Sequence, residues 1–495
     1  MNMRWVFKLK RDENGAIERY KARLVAMGFT QVHGVHFDRT FAPTAQSHSF
    51  RILLTLGLHL DCSLRHIDVT AAFLNSVPKF DNYVRLPDGF KFQDTNTAKL
   101  LKNIYGTRDA ALGWYEDQHI TLMELIPGLR RSTADPCFYY LISSLVVLII
   151  VSVDDYAVAH NSPEWFQTFF TSYSAKFVSR DIGELTLYNG INITWLSSTR
   201  ILLTQQRDIT DILAQFGLTD ANPVSTPMEP GFDTSSVSID NTSPTFAYAS
   251  LVGSLLWIAR MTRPDIYYAV ITLSSFTHNF TAVHVTALKR IVRYLKGTIT
   301  IGSIYFKNVA FPVPTVPANV PRLPAVPLPF ELELHLESFS DADWGGDRAT
   351  RRSTTGAVTL LFGNFIISSC RRQPTVALST AEAELMALTD SAKDLLAVHN
   401  VLNEIATNVN EVSIVNPSIV NVDNISTIFI SENRVNNSRT RHIDIHYMFV
   451  RELIENNVLA LRHVATENNV ADIFTKALVE RTLRFLMELL HVGPA

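Results

Sequence analysis

The run LVVLIIVSVDDYAVAH, Leu145 to His160, decides the fold. An aliphatic stretch ends in two adjacent carboxylates, Asp154 and Asp155, and apolar residues resume after them. Apolar runs of this length bounded by turn residues read as buried strands. Ser143, Ser144 and Ser152 interrupt the run, which is too short to span a bilayer. The wider segment DPCFYYLISSLVVLIIVSVDDYAVAH therefore reads as two strands joined at the serines, with Asp154 and Asp155 in or near a tight turn. Two negative charges side by side are costly in a dry environment, so the pair needs a compensating partner.

Bulk composition sets the limits around that stretch. The chain has 495 residues, too many for one ordinary core, which suggests three or four domain-sized units. Hydrophobic residues make up 47% of it, which excludes a disordered chain. The formal net charge is −3, so any nucleic-acid site must be a local basic patch. Cys62, Cys137 and Cys370 have no paired spacing. They argue against a disulfide framework or a zinc ribbon and fit a reducing compartment. The opening residues hold no signal-peptide core.

Working outward, two strand-like runs flank Asn14-Gly15, a hairpin signal. They carry Lys8, Lys10, Arg11, Lys21 and Arg23, a set suited to holding phosphates or simply to a solvated, lysine-edged sheet. SHSFRILLTLGLHL reads as a helix, and SLRHIDVTAAFL as a strand entering a helix with Asp68 at the join. Residues 248–296 read as helices, among them KRIVRYLK, with Lys289, Arg293 and Lys296 on one face. That face either tracks a nucleic-acid backbone or is merely solvated. A proline-rich spacer, FPVPTVPANVPRLPAVPLPF, precedes a last region of alternating strands and helices.

That last region holds four acids at the ends of different elements. Asp341 lies at an expected strand, beside Asp343 and Trp344. Glu384 lies on a helix whose Leu385, Leu388, Ala392 and Leu395 recur at helical spacing. Asp423 ends an apolar run, and Asp472 opens an expected helix in NNVADIFTKAL. Each acid alone reads as a cap or a solvated charge. Converging carboxylates have one economical use, which is to hold divalent cations. Two ions about 4 Å apart stabilise both the attacking and the leaving oxygen of a phosphoryl transfer. Asp68 with the Asp154 turn would make a second such site.

The first part of the chain resembles the reverse transcriptase of Ty1/copia-type retrotransposons through WVFKLK, RYKARLVAMGFTQ, FAPTAQ, HIDVTAAFLN, DPCFYY, SVDD, DIGEL, GINI and VSTPM. SLVGSLLWIARMTRPDIYYAV and ALKRIVRYLKGT resemble the region that follows the polymerase there. The last part resembles the family's ribonuclease H domain through SDADWGGDRATRRSTTGAV, QPTVALSTAEAELMAL, VDNISTI, SRTRHIDIHYMFVRE and NNVADIFTKAL.

The resemblance implies an α+β multidomain chain: a fingers-palm-thumb reverse transcriptase, a connection region and an α/β ribonuclease H-like domain. The expected boundaries are 1–233 for fingers and palm, 234–308 for a helical thumb or connection, 309–334 for the proline-rich linker, 335–482 for the ribonuclease H-like domain and 483–495 for a tail. Asp68, Asp154 and Asp155 would be catalytic metal ligands for nucleotide addition. Lys21 and Arg23 match basic positions that steady the triphosphate. Asp341, Glu384, Asp423 and Asp472 would surround the nuclease metals, with Glu384 rather than its neighbour Glu382 as the helix carboxylate. The implied cofactor is Mg²⁺ or Mn²⁺, two ions per active site. The implied partners are an RNA template, a DNA primer, an RNA–DNA hybrid and deoxynucleoside triphosphates, with no membrane.

Three positions depart from the family pattern. Ser152 stands where a tyrosine near the primer end is usual, Asp109 replaces a glutamine beside the incoming nucleotide, and Thr70 replaces a common lysine. A carboxylate near a triphosphate is unfavourable unless it faces away or is paired, with Arg108 as the expected partner. No protease triplet, Cys-rich knuckle or integrase zinc module is present, which suggests the 3′ portion of a pol polyprotein or a truncated gene copy. The competing reading is an inactive remnant that at most binds nucleic acid. His442, in RTRHIDIH, is either a structural residue or a substrate contact.

Overall fold

The computed structural model describes residues 1–11, 17–87, 90, 95–232, 246–307, 332–432 and 444–494. Asn14-Gly15, most of the proline-rich spacer and His442 lie outside them. The chain forms two compact units, Met1–Gln46 with Cys62–Leu185, and Ser47–Asp61 with Thr186–Ala495. Length alone suggested three or four. The difference lies in the second unit, where Leu251, Leu255 and Ile291 of the helices share one apolar core with Phe339, Val358 and Leu486.

The first unit is built on an antiparallel sheet. Its strands run in the order Ser179–Glu184, Ser63–Val69, Asp155–His160, Val146–Ser152, Phe138–Ile142 and Arg130–Arg131. The wider segment, residues 135–160, thus forms three strands rather than two, because the chain reverses after Val153 as well as at the serines. Val147, Ile149 and Val151 share a core with Trp114 and Leu122 of helix Ala110–Leu125 and with Phe166, Phe169 and Tyr173 of helix Pro163–Lys176. Alternate residues of a strand share a face, so every second residue of this run meets the helices. The second helix starts sharply because Ser162 caps it, accepting from Trp165 N, and Pro163 follows with φ preset.

Strands Met3–Arg11 and Ile17–Ala26 pair antiparallel. This hairpin docks on the segment around Tyr105, where Ala26 N donates to Tyr105 O at 2.8 Å. Only glycine permits that approach. A Cβ at Gly28 would lie 2.1 Å from Gly106 O, and one at Gly106, where φ is +96°, 2.1 Å from Ala26 O.

The second unit takes in helix Ser47–His59, most of whose residues are buried. Arg51 donates from its guanidinium to the carbonyls of Ile366 at 2.8 Å and Met261 at 2.9 Å. One five-stranded sheet runs Leu187–Tyr188, Ile191–Ser197, Arg200–Thr204, Gly302–Phe306, Val492–Gly493. Within the span expected as a tail, Val492–Gly493 therefore completes a sheet, and helix Glu480–Leu489 buries Leu483, Leu486 and Met487. A second sheet runs Asn364–Arg372, Thr354–Leu361, Leu336–Asp343, Ser418–Val422, Leu459–His463. Its first three strands are antiparallel and its last two join in parallel. The 29-residue helix Thr380–Asn408 packs on its two central strands.

Two charged groups in this unit serve the fold. Arg263 and Asp265 form a fully buried ion pair, 2.7 Å between Nη2 and Oδ2, joined by the Tyr294 hydroxyl. The basic face of helix Ala282–Gly297 is largely occupied: Arg293 donates to Asn222 O, Lys296 to Ala221 O, and Lys289 sits over the Phe246 ring. It ties down the 221–222 segment, which leaves less of it for a phosphate backbone.

Candidate active sites

In the first unit Asp68 and Asp155 face each other directly across neighbouring strands, and Ser152 faces Asp155 from the other side. Between them Val153 takes a left-handed conformation, φ +59°, and Asp154 follows in the turn. The turn is fastened at two points. Val69 N donates to Asp154 O at 2.8 Å, and the buried Trp114 indole donates to Val153 O at 2.7 Å. The Asp154 carboxyl is shifted above its ordinary range by burial, then by the neighbouring charges of Asp155 and Asp68.

A cavity of about 560 Å³ opens beside these acids, lined by Arg19, Lys21, Arg23, Asp68, Tyr105 and Asp154 among others. The basic strand and the acidic turn thus face one space. Arg23 lies over the Tyr105 ring, 5.1 Å from its centroid. Asp155 stands apart from the lining, with its Oδ1 3.1 Å from His66 Nε2. Asp109 does not join the cavity. It lines a separate recess with Asp38, Arg39 and Lys79, and burial raises its carboxyl. The expected pairing with Arg108 does not form: Arg108 Nε donates to Gly28 O at 3.1 Å and its backbone N–H to Gln31 Oε1 at 2.8 Å.

In the second unit one carboxylate oxygen from each of Asp341, Asp423 and Asp472 lies within 4.8 Å of the others. Asp341 is near the end of the central strand Leu336–Asp343, and Asp423 directly follows its parallel neighbour Ser418–Val422. Asp472 sits in a 3₁₀ turn, Val470–Phe474, rather than opening the expected helix. The turn is held short because Asn469 caps it and donates to Ser340 O, while the Thr475 hydroxyl is engaged with Asp341 and Asp472 O. Gly356 lets the turn lie against its strand, since a Cβ there would be 2.8 Å from Ala471 O.

Glu384 lies near this group, close enough for Asp341 and Asp423 to act on its charge. Ser379 caps helix Thr380–Asn408 by accepting from Glu382 N, and Glu382 accepts from Leu378 N at 2.6 Å, so Glu382 closes the helix start. Two residues on, Glu384 is buried toward Asp341 and Asp423, and its Oε2 has no hydrogen-bond partner among the described residues. Burial, then Asp341 and Asp423, push the Glu384 carboxyl up to about 9, and burial and Asp341 push Asp472 up to about 7. Asp343, which accepts from Thr354 N, is likewise raised to about 7 by burial. Lys476 Nζ lies 2.9 Å from Asp472 Oδ1. Burial alone would lower this ammonium, but Asp341, Asp472 and Asp423 hold it above its ordinary value.

The second acid set fits a hard divalent cation, whereas Asp68, Asp154 and Asp155 are not gathered into such a group among the described residues. The three aspartates of the second set offer carboxylate oxygens only, and the neighbouring Glu384 Oε2 has no donor among the described residues. His66, Trp114, Tyr105 and Lys476 were not singled out from the sequence. The available signals were spacings: His66 is two residues before Asp68 on the same strand face, and Lys476 is one helical turn after Asp472.

Residues 1–230 match the family described as reverse transcriptase (RNA-dependent DNA polymerase). The Retrovirus-related Pol polyprotein from transposon RE1 of Arabidopsis thaliana is 33% identical across 96% of this chain and 30% of that protein. The Pol polyprotein from transposon TNT 1-94 of Nicotiana tabacum is 30% identical across 99% of this chain and 35% of that one. The chain thus spans about a third of the length of these relatives. A foamy viral protease-reverse transcriptase, solved with double-stranded DNA, shares the fold at TM-score 0.51 and 14% identity, covering 94% of this chain and 66% of that one. These matches define a multidomain protein of mixed helix and sheet carrying a reverse transcriptase region. The chain belongs to the reverse transcriptase family of copia-type retrotransposon Pol proteins.

Proposed function

We propose that the chain is an RNA-directed DNA polymerase with ribonuclease H activity on RNA–DNA hybrids, the two reactions carried by separate carboxylate sites. The observation that supports this best is the shared cavity, in which Lys21 and Arg23 face Asp68 and Asp154 across a space sized for a nucleotide. In this reading Asp68, Asp154 and Asp155 hold Mg²⁺ or Mn²⁺ in the first unit, and Asp341, Glu384, Asp423 and Asp472 hold it in the second. When bound, the ions neutralise charge that develops on phosphate oxygens and orient the attacking group. Lys21 and Arg23 bind the triphosphate of a deoxynucleotide as point and fork donors. The Val153–Asp155 turn, fastened by Trp114, presents the carboxylates to a primer 3′-hydroxyl, which attacks the α-phosphate; the α–β phosphoanhydride bond breaks, pyrophosphate leaves and the hydroxyl proton passes to solvent.

In this reading the acids of the second unit cut the RNA strand of a hybrid, and the exposed Arg348, Arg351 and Arg352 would meet its backbone. Ser152 would lie under the primer end, where a small hydroxyl gives less packing surface than an aromatic ring. Asp109, in its separate recess, would meet the nucleotide only after a local rearrangement. The expected boundaries 1–233, 234–308, 309–334, 335–482 and 483–495 remain a functional division of the chain; its compact units are cut differently.

The test is primer extension on an RNA template with Mg²⁺ or Mn²⁺, together with cleavage of a labelled hybrid. Asp155→Asn should abolish extension and spare cleavage, and Asp423→Asn should do the reverse. A chain that binds duplex yet performs neither reaction would be the inert remnant instead.

A further inference from the structure

We infer that His66 is a positioning residue of the first carboxylate site: its imidazole holds the Asp155 carboxylate in the orientation that accepts a divalent cation. The inference rests on the reading of Asp68, Asp154 and Asp155 as metal ligands. Asp154 has its backbone fixed on both sides, by the bonds of Val69 N and the Trp114 indole to the turn. Asp155 has no such restraint on its side chain, which is 35% exposed at the start of its strand. Its one described polar contact is with His66 Nε2, at 3.1 Å from Oδ1.

The strand register explains how the contact forms. Asp68 is directly opposite Asp155, and His66 is directly opposite Ala157, two residues farther on. His66 is therefore the diagonal neighbour of Asp155 on the same sheet face, within reach of a long side chain. On its other side His66 faces Gly183, beside a bulge that shifts the register after Asp181. Ala157 on one flank and a glycine on the other leave the imidazole room to lean toward the acid. With one oxygen held by His66, Asp155 presents its other oxygen, and strand Ser63–Val69 supplies both an acid and the group that aims its partner. Donors behind a ligating carboxylate typically change metal affinity about 10- to 100-fold when removed.

The experiment measures Mn²⁺ binding by electron paramagnetic resonance titration of free Mn²⁺. It uses the full chain carrying Glu384→Gln and Asp423→Asn, so that the second cluster does not report. In that background His66→Leu, which fits a strand but cannot donate, should raise the Mn²⁺ dissociation constant about 10-fold or more. His66→Gln, which keeps an N–H donor at similar reach, should stay within about threefold. His66→Thr, also a strand former, should behave as Leu does and covers the case in which the Leu chain does not fold. When Asp155→Asn is already present, His66→Leu should add nothing. A His66→Leu affinity equal to that of the parent, or a His66→Leu effect that persists beside Asp155→Asn, overturns the inference. Mn²⁺ binding that Asp155→Asn leaves intact overturns the ligand reading itself, which separates the two failures.

Discussion

Adding Mg²⁺ to the metal-free chain should expel protons, and the number follows from the second acid cluster. Burial and neighbouring carboxylates push Glu384 up to about 9 and Asp472 up to about 7. At pH 7 the folded chain therefore holds about one proton on Glu384 and a fraction of one on Asp472, whereas unfolded carboxylates titrate near about 4 and hold almost none. A divalent cation requires the ionised forms, so its binding should release at least about one proton from this cluster at pH 7. The release can be read in a weakly buffered solution with a pH-stat during Mg²⁺ titration. Glu384→Gln should lower it by about one proton. The same shifts set the direction of stability. Because these acids bind protons more tightly when folded, the unfolding free energy of the metal-free chain falls as pH rises from about 4 to about 9, by about 1.4 kcal/mol per pH unit for each excess proton. Mg²⁺ should thus raise the unfolding temperature more at pH 8 than at pH 6. Equal proton release from wild type and Glu384→Gln, or equal Mg²⁺ stabilisation at the two pH values, would refute the reasoning.

Three further perturbations act elsewhere. Asp265→Asn leaves the fully buried Arg263 without its counter-charge and should destabilise the second unit by about 3–5 kcal/mol in urea unfolding. Gly106→Ala places a Cβ against Ala26 O and should loosen the basic hairpin, raising the KM for deoxynucleotide at least about 10-fold with a smaller change in hybrid cleavage. Trp114→Phe keeps a ring against Phe177 but deletes the indole bond to Val153 O. It should cost about 1–3 kcal/mol of stability by thermal unfolding and lower kcat for primer extension.

Much of both sites was legible because acids at strand ends break the apolar pattern. Asp154 and Asp155 interrupt an otherwise buried run, and Asp423 follows one, so hydrophobic periodicity alone marks them. Glu384 rather than Glu382 was a choice by resemblance; the hydrogen bond from Leu378 N explains physically why Glu382 has another task. What stayed hidden depends on contacts between distant segments. Nothing local distinguishes the Trp114 indole from a core aromatic, since its partner Val153 lies 39 residues away. The stretch NNVADIFTKAL suggests a helix opened by Asp472, while Ser340 and Asp341, the groups that hold the 3₁₀ turn, are far away in sequence. Asp109 reads as a substrate-side acid in a motif, and only the packing of its neighbours turns it into another recess.

Helix Ser47–His59 precedes most of the first unit in the chain yet belongs to the second. On the ribosome it emerges some 200 residues ahead of Arg260 and Met261, and more than 300 ahead of Ile366, whose carbonyls Arg51 binds. Its apolar surface must wait, unpaired or guarded by a chaperone, until those partners are synthesised. A fragment trimmed to begin at the sheet that contains Leu336–Asp343 would leave this helix behind, with the Arg51 contact surface uncovered.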